Sequence, residues 1–68
     1  MKGEISKWFD EKGYGFVAGD DGKTYFLHIK QIKNKEAPNV GDSIKFEVVN
    51  TQRGEQAHNA VIVSKSYQ

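Results

Sequence analysis

The sequence contains no cysteine, which excludes disulfide cross-links, cysteine-based zinc sites and thiol catalysis. It also lacks any apolar run of about 18 residues, the length that a membrane-spanning helix requires, and residues 1–5 include no apolar stretch typical of a signal peptide. A small cysteine-free domain suits the reducing interior of a cell. We therefore expect an intracellular, cytoplasmic chain in which this domain makes no membrane contact.

Groups that carry catalysis or bind metals are scarce. The two histidines, His28 and His58, have no cysteine to complete a metal site. The paired acids at 10–11 and 20–21 lie in predicted turns, where such residues favour the turn backbone. Residues 13–18 formally match a dinucleotide-binding glycine motif, but no helix follows them. The sequence thus predicts a protein that is not an enzyme and uses no metal, cofactor or small-molecule substrate.

Helical periodicity is equally scarce, whereas apolar and polar residues alternate with a period of two along much of the chain. We predict five strands, at residues 2–10, 14–18, 23–29, 43–50 and 56–64, a loop over 31–41 and a frayed end at 65–68. A chain of 68 residues holds one small domain, and five short strands need to close on themselves to bury enough apolar surface. The predicted fold is therefore all-β: a single domain, residues 1–68, forming a small five-stranded antiparallel Greek-key barrel (OB-fold).

The glycine-rich segment 12–17, KGYGFV, carries two aromatic residues two positions apart, so both rings point to the same face of a strand. Taken alone, the segment fits a core strand and a binding surface about equally. The alternation along the hairpin decides between a core strand and a binding surface. If Val17 and Leu27 face the core, the aromatic residues that alternate with them must face outward. Four rings then share one outer face: Tyr14, Phe16, Phe26 and His28. Trp8 adds a fifth if its strand lies alongside.

Lysines flank these predicted rings. Lys7, Lys12 and Lys30 form a positive rim, and residues 23–35 contain four lysines and no acid. Such a segment attracts phosphates, although it also occurs as an ordinary solvated loop. Single-stranded nucleic acid matches the combination, because its bases stack on rings while its phosphates face cations. A peptide-binding or protein–protein module within a larger protein is the alternative, since an exposed aromatic surface fits that class as well.

Several motifs resemble the signature of the cold-shock domain family. The similar segments cover essentially the whole chain, at 7–9 (KWF), 12–17 (KGYGFV), 25–28 (YFLH), 41–48 (GDSIKFEV), 53–57 (RGEQA) and Asn59. The resemblance implies a five-stranded barrel that binds single-stranded RNA and DNA with low sequence selectivity, acting as an RNA chaperone or a regulator of gene expression. We expect the domain to be a monomer.

The resemblance also implies which side chains contact the nucleic acid. Base contacts are expected from Trp8, Tyr14, Phe16, Phe26 and His28, with Phe9 partly exposed. Lys7, Lys12 and Arg53 are expected near the strand. Together with Lys30 from the positive rim, the predicted site comprises Lys7, Trp8, Phe9, Lys12, Tyr14, Phe16, Phe26, His28, Lys30 and Arg53.

The sequence departs from the family pattern in several places. Asp10 stands where Asn is usual, and Thr24 replaces a common Asp. The loop over 33–40 is shorter than usual and has no aromatic side chain, and one additional residue lies between Gly3 and Trp8. This spacing is similar to that of cold-shock domains at the N-terminus of larger bacterial proteins, including membrane-anchored ones. We expect weaker binding, or a different base preference, than in free-standing cold-shock proteins.

Overall fold

The chain folds into five β-strands, as the alternation predicts. The computed structural model describes residues 1–64, and its strands are β1 (Lys2–Phe9), β2 (Tyr14–Gly19), β3 (Thr24–His28), β4 (Ser43–Thr51) and β5 (Gly54–Ser64). A 3₁₀ turn, Ile29–Gln31, follows β3. Each predicted strand agrees with an observed one to within two residues at either end. The frayed end expected at 65–68 lies outside the described residues.

The strands close into a barrel in the order β1-β2-β3-β5-β4, with β4 returning to β1. Four pairings are antiparallel, whereas β3 and β5 run parallel where Phe26 lies opposite Gln56. A closed ring with an odd number of strands cannot alternate in direction throughout, so one parallel seam is unavoidable. The predicted five-stranded Greek-key barrel is confirmed, with its parallel seam between β3 and β5.

Apolar side chains from every strand fill the barrel. The buried set is Ile5, Val17, Tyr25, Leu27, Ile32, Ile44, Phe46, Ala57 and Ala60. Burial of each larger aliphatic or aromatic side chain stabilises the fold by roughly 1.5–3 kcal/mol. The rings of Tyr14, Phe16 and Phe26 do not belong to this cluster. The core is therefore assembled without them, and those side chains are available for another role.

The tight turn between β2 and β3 sets the register of the hairpin. The Gly19 N–H donates to the Lys23 carbonyl over 2.8 Å, and Gly22 adopts a φ of +84°, which favours glycine. The Asp21 carboxylate accepts a hydrogen bond from the Tyr25 hydroxyl and another from the Lys23 N–H. The bond to Asp21, with burial, raises the pKa of Tyr25 to about 12, and the same bond lowers the pKa of Asp21. A core residue is thereby tied to the turn.

A bulge interrupts β1. Ile5 lies opposite Val17, but Lys7 lies opposite Phe16, so Ser6 is an additional residue without a partner of its own in β2. The Ser6 hydroxyl donates to the Phe16 carbonyl over 3.2 Å. A bulge advances the alternation by one position, and every side chain beyond it changes face. The last three residues of β1 are therefore oriented differently from those of a regular strand.

Candidate nucleic-acid interface

The β2–β3 hairpin presents a row of ring side chains on its outer face. Tyr14 lies opposite His28, and Phe16 lies opposite Phe26. The alternate positions of both strands face inward, and Val17 and Leu27 are completely buried. Because directly opposed residues in an antiparallel pair share a face, the four rings stand on the outside, where each is half-buried. The predicted assignment of these side chains to the outer face is confirmed.

The rings contact one another in a continuous series. The Phe9 and Tyr14 ring centroids are 5.8 Å apart, those of Tyr14 and Phe26 are 5.3 Å apart, and those of Phe26 and Phe16 are 6.0 Å apart. The first and last pairs pack edge to face, an arrangement that aromatic quadrupoles favour. Mutual packing holds the rings in place without covering them. We call this surface the aromatic face: Phe9, Tyr14, Phe16, Phe26 and His28.

Trp8 does not lie in the outer row with the four hairpin rings, and its expected contact with bases stays a prediction, since the indole is half-buried. The bulge at Ser6 places Trp8 opposite the buried Gly15, on the inner side of β1, where the indole packs against the core. A Cβ at Gly15 would lie only 2.6 Å from Trp8 Cε3, so glycine is required for this approach. The additional residue before Trp8 is the sequence signal of the change. Phe9, which is 41% exposed, takes the outer position instead.

The turn after β1 brings a lysine to the aromatic face. The N–H groups of Lys12 and Gly13 both donate to the Phe9 carbonyl, over 3.0 and 2.9 Å, and Gly13 has a φ of +73°. Lys12 Nζ lies 5.9 Å from the centroid of the Phe9 ring, within reach of a cation–π contact. The turn thus places a positive charge beside an exposed ring.

His28 is oriented by the chain that follows it. Its Nδ1 accepts a hydrogen bond from the Lys30 backbone N–H over 3.1 Å. In the neutral imidazole this makes Nε2 the protonated nitrogen and therefore a donor. His28 thus combines a ring that can stack with an N–H that can donate to a carbonyl or phosphate oxygen.

The remaining predicted cations border the aromatic face at different points. Lys7 lies opposite Phe16 and on the same side of the sheet, and Lys30 follows His28 in the 3₁₀ turn. Arg53, in the turn between β4 and β5, lines a small pocket with Phe26, Glu55 and Gln56. Lys7, Lys12, Lys30 and Arg53 are all exposed. The structure therefore places the predicted cations around the rings rather than among them.

Gln56 lies outside the predicted site, although it is directly opposite Phe26 across the parallel seam. It is half-buried and shares a pocket with Arg53. Its amide can donate to and accept from a base edge. Gln56 falls within the motif at 53–57 that carries the family resemblance, so the sequence contains a signal for it. The motif alone does not place Gln56 beside Phe26, because the β3–β5 pairing forms only in the closed barrel.

Within residues 1–64 we find neither a cluster of metal-binding side chains nor a membrane-spanning helix. No three His, Asp or Glu side chains among them are grouped so as to hold a metal ion. The same part of the chain contains no helix with the length and hydropathy needed to cross a membrane.

Comparison with known proteins agrees with the geometry of this surface. Residues 1–63 match the family model of the "cold-shock" DNA-binding domain. Cold shock protein 1 of Lactiplantibacillus plantarum is 38% identical over 64 residues, covering 90% of this chain and 97% of that protein. Cold shock protein CspB of Geobacillus stearothermophilus is 40% identical over 64 residues, covering 90% of this chain and 96% of that protein. The chain therefore belongs to the cold-shock DNA-binding domain family, a family of nucleic-acid-binding proteins.

Proposed function

We propose that this domain binds single-stranded RNA and DNA by stacking bases on the aromatic face while the phosphates lie near the surrounding cations. The observation that carries the proposal is the unbroken series of ring contacts from Phe9 through Tyr14 and Phe26 to Phe16. Every base has a π-face, so a stacking surface tolerates changes of sequence. Low sequence selectivity follows from this mode of recognition.

The proposed role of each ring follows from its position. Phe9, Tyr14, Phe16 and Phe26 stack bases, and each stack contributes roughly 1–3 kcal/mol. His28 stacks or donates its Nε2–H to an oxygen of the base or phosphate. Trp8 packs over Gly15 and so holds β1 beside β2, and a base contact from its half-buried ring remains part of the proposal.

The proposed role of the cations is to neutralise phosphates. The four predicted cations are all exposed: Lys7, Lys12, Lys30 and Arg53. Each phosphate contact with a single strand contributes about 0.7 to the slope of log K against log salt. With so few cations we expect a shallow salt dependence, and stacking rather than charge supplies most of the affinity.

A titration with labelled heptameric oligo-dT tests the proposal. Fluorescence anisotropy at 50 and 200 mM salt should show saturable binding that weakens moderately at the higher concentration. No binding at high micromolar protein would overturn the proposal. Binding that salt leaves unchanged would contradict the proposed role of the cations, whereas the absence of binding would favour a peptide- or protein-binding role for the aromatic face.

The wider role proposed for this single domain is that of a cytoplasmic RNA chaperone or regulator of gene expression, acting as a monomer without cofactor or catalysis. A protein that stacks single-stranded bases shifts RNA hairpins toward their open forms, because it binds only the unpaired state. Addition of the protein to a fluorophore–quencher hairpin RNA should raise the fluorescence at temperatures below the melting point. An unchanged melting curve at saturating protein would contradict the chaperone role.

A further inference from the structure

A second basic surface lies beyond the 3₁₀ turn, where the chain folds against β5. Ile32 forms a parallel bridge with Ala60, and the Lys33 N–H donates to the Ala60 carbonyl over 2.8 Å. The Lys35 N–H then donates to the Ile32 carbonyl over 2.9 Å. These bonds hold the segment in a defined position along the strand. Between the segment and β5 lies a groove lined by Lys30, Gln31, Ile32, Lys33, Lys35, Asn59 and Val61, which we call the lysine groove.

The lysine groove is distinguished by its charge. Three lysines and no acidic side chain line it, and Glu47 on β4, outside the lining, accepts a hydrogen bond from Asn59 Nδ2 over 2.9 Å. Of the four lysines in the positive segment 23–35, only Lys23 lies elsewhere, where its Nζ is 3.8 Å from a Glu55 carboxylate oxygen. A surface with concentrated charge of one sign attracts a polyanion. The lining contains no aromatic side chain, so the groove suits phosphates rather than stacked bases.

The backbone beside the lysine groove adopts an unusual conformation on both sides. Lys35 has a φ of +51° and Asn59 a φ of +50°, and no other non-glycine residue within 1–64 has a positive φ. Asn59 occupies one of two irregularities in β5, where it and Ala60 together lie between the pairs Lys45–Val61 and Glu47–His58. Left-handed backbone is unfavourable for lysine, whereas asparagine adopts it more readily, and strained conformations cluster at binding sites. The groove is therefore shaped by two left-handed positions rather than by a regular sheet edge.

The lysine groove is continuous with the aromatic face. Lys30 lines the groove, and its backbone N–H donates to His28 Nδ1 over 3.1 Å. His28 in turn lies opposite Tyr14 in the row of rings. A single strand that leaves the aromatic face past His28 therefore meets Lys30 next. We propose that the lysine groove binds the phosphate backbone of that same strand. The binding site then extends past the rings to nucleotides whose phosphates, but not bases, are contacted.

This inference rests on the proposed function and makes a separate claim about length. A strand just long enough to cover the rings gains nothing from the groove, whereas a longer strand gains additional phosphate contacts. The added affinity does not depend on base identity, because phosphates carry no sequence information. It should also be removed by salt more readily than the stacking contribution is.

A length series of labelled oligothymidylates, from 4 to 12 nucleotides, tests the claim. The variant is Lys33→Gln/Lys35→Gln, and the matched control is Lys2→Gln/Lys45→Gln, which also removes two positive charges. Lys2 and Lys45 are exposed and lie opposite each other on β1 and β4. The groove variant should bind the 12-mer about three- to tenfold more weakly than the wild type, with a salt slope lower by about 1.4, and bind the 4-mer normally. The control should bind both oligomers normally.

Other outcomes of the binding experiment would overturn the proposed role of the lysine groove or the function on which it rests. Equal losses for the 4-mer and the 12-mer, or equal losses in both variants, would show a long-range charge effect and overturn the groove. Unchanged binding of every oligomer by the groove variant would overturn it as well. Loss of affinity for a polyglutamate peptide but not for the 12-mer would assign the groove to an acidic protein partner. If the wild type binds no oligomer of any length, the proposed function itself fails.

Discussion

The β2–β3 hairpin and the β1–β2 pair differ in regularity, and that difference divides their roles. The hairpin keeps one register from Tyr14–His28 to Ala18–Thr24. The β1–β2 register shifts at Ser6. In the regular pair, alternation places rings outside, on the aromatic face. In the bulged pair, the same alternation advances by one position and turns Trp8 toward the core. Side-chain faces thus follow from sequence alternation only where no bulge intervenes.

Strand β2 belongs to both strand pairs, and its residues contribute to each of them. Tyr14 and Phe16 point outward, while Gly15 between them accommodates Trp8 from β1. The aromatic motif therefore has two functions, since its rings form the surface and its glycine admits the indole. Substitutions on either side of β2 separate these functions, and we order them by the size of the expected effect.

Gly15→Ala should have the largest effect. The new Cβ would overlap the Lys7 carbonyl oxygen, its nearest neighbour, and would lie 2.6 Å from Trp8 Cε3 and 2.9 Å from Trp8 Cα. Because the Lys7 oxygen and Trp8 Cα belong to the backbone, rotation of the indole cannot relieve the overlap. We expect a loss of about 3 kcal/mol in the free energy of unfolding, which lowers Tm by about 15 °C in a domain of this size. Thermal unfolding followed by circular dichroism measures it.

Gly22→Ala is the matched control for that substitution. Gly22 has a φ of +84°, but no atom lies within 4 Å of the position that an added Cβ would occupy, so only its backbone conformation is strained. We expect a loss of about 1 kcal/mol. Equal losses for the two alanine variants would show that β1 does not approach β2 as described.

Trp8→Ala should reduce stability. The indole is half-buried and packs against the core, so its truncation should cost about 2–3 kcal/mol in the free energy of unfolding. The neighbouring Phe9→Ala, on the outer face, should cost less than about 1 kcal/mol. Urea denaturation of both variants compares the two faces of β1 directly. A destabilised Phe9→Ala beside a stable Trp8→Ala would reverse the assignment.

Phe16→Ala and Phe26→Ala should reduce binding rather than stability. Each removes a ring of the aromatic face and should weaken oligo-dT binding by roughly 1–3 kcal/mol while the fold survives, since neither ring belongs to the core cluster. Val40→Ala, an equally apolar truncation at a loop position that is 55% exposed, should leave affinity unchanged. Anisotropy titrations provide the affinities. Normal binding by both phenylalanine variants would contradict the stacking role.

Tyr25→Phe should have the smallest effect, present at neutral pH and lost at both extremes of pH. Hydrogen bonding to Asp21 raises the pKa of Tyr25 from 10.0 to about 12, so the stabilisation is complete below pH 10 and is lost as pH rises toward 12. The pKa of Asp21 is lowered from 3.8, so the stabilisation on that side is complete above about pH 4 and is lost on acidification.

Urea midpoints at about pH 3, 7 and 11.5 measure this contribution. The difference between wild type and Tyr25→Phe should be greatest at neutral pH and should shrink at both extremes. A difference that is constant with pH would mean that the turn is not held by this bond. In that case the regular register of the hairpin would depend on the turn backbone and the core alone.

Much of the site was predictable because its residues lie close together in sequence. Tyr14 and Phe26 belong to strands joined by a short turn, and period-two alternation assigns both to one face. The inward turn of Trp8 was not predictable from alternation, although the additional residue before it was visible. Insertion of one residue into a strand produces either a bulge or a register change, and only pairing with β2 selects the bulge at Ser6.

The sequence alone determined the five strands, the outer row of rings and the family, because these depend on local alternation and on motifs of a few residues. Tertiary structure decided the contacts between distant segments. It placed Gln56 opposite Phe26, and it brought Lys33 and Lys35 beside Asn59. The physical reason is the closure of the barrel. In a ring of five strands with the order β1-β2-β3-β5-β4, β5 must run parallel to β3. The segment that connects β3 to β4 then passes beside β5, where Ile32 pairs with Ala60. Sequence alternation carries no information about that pairing.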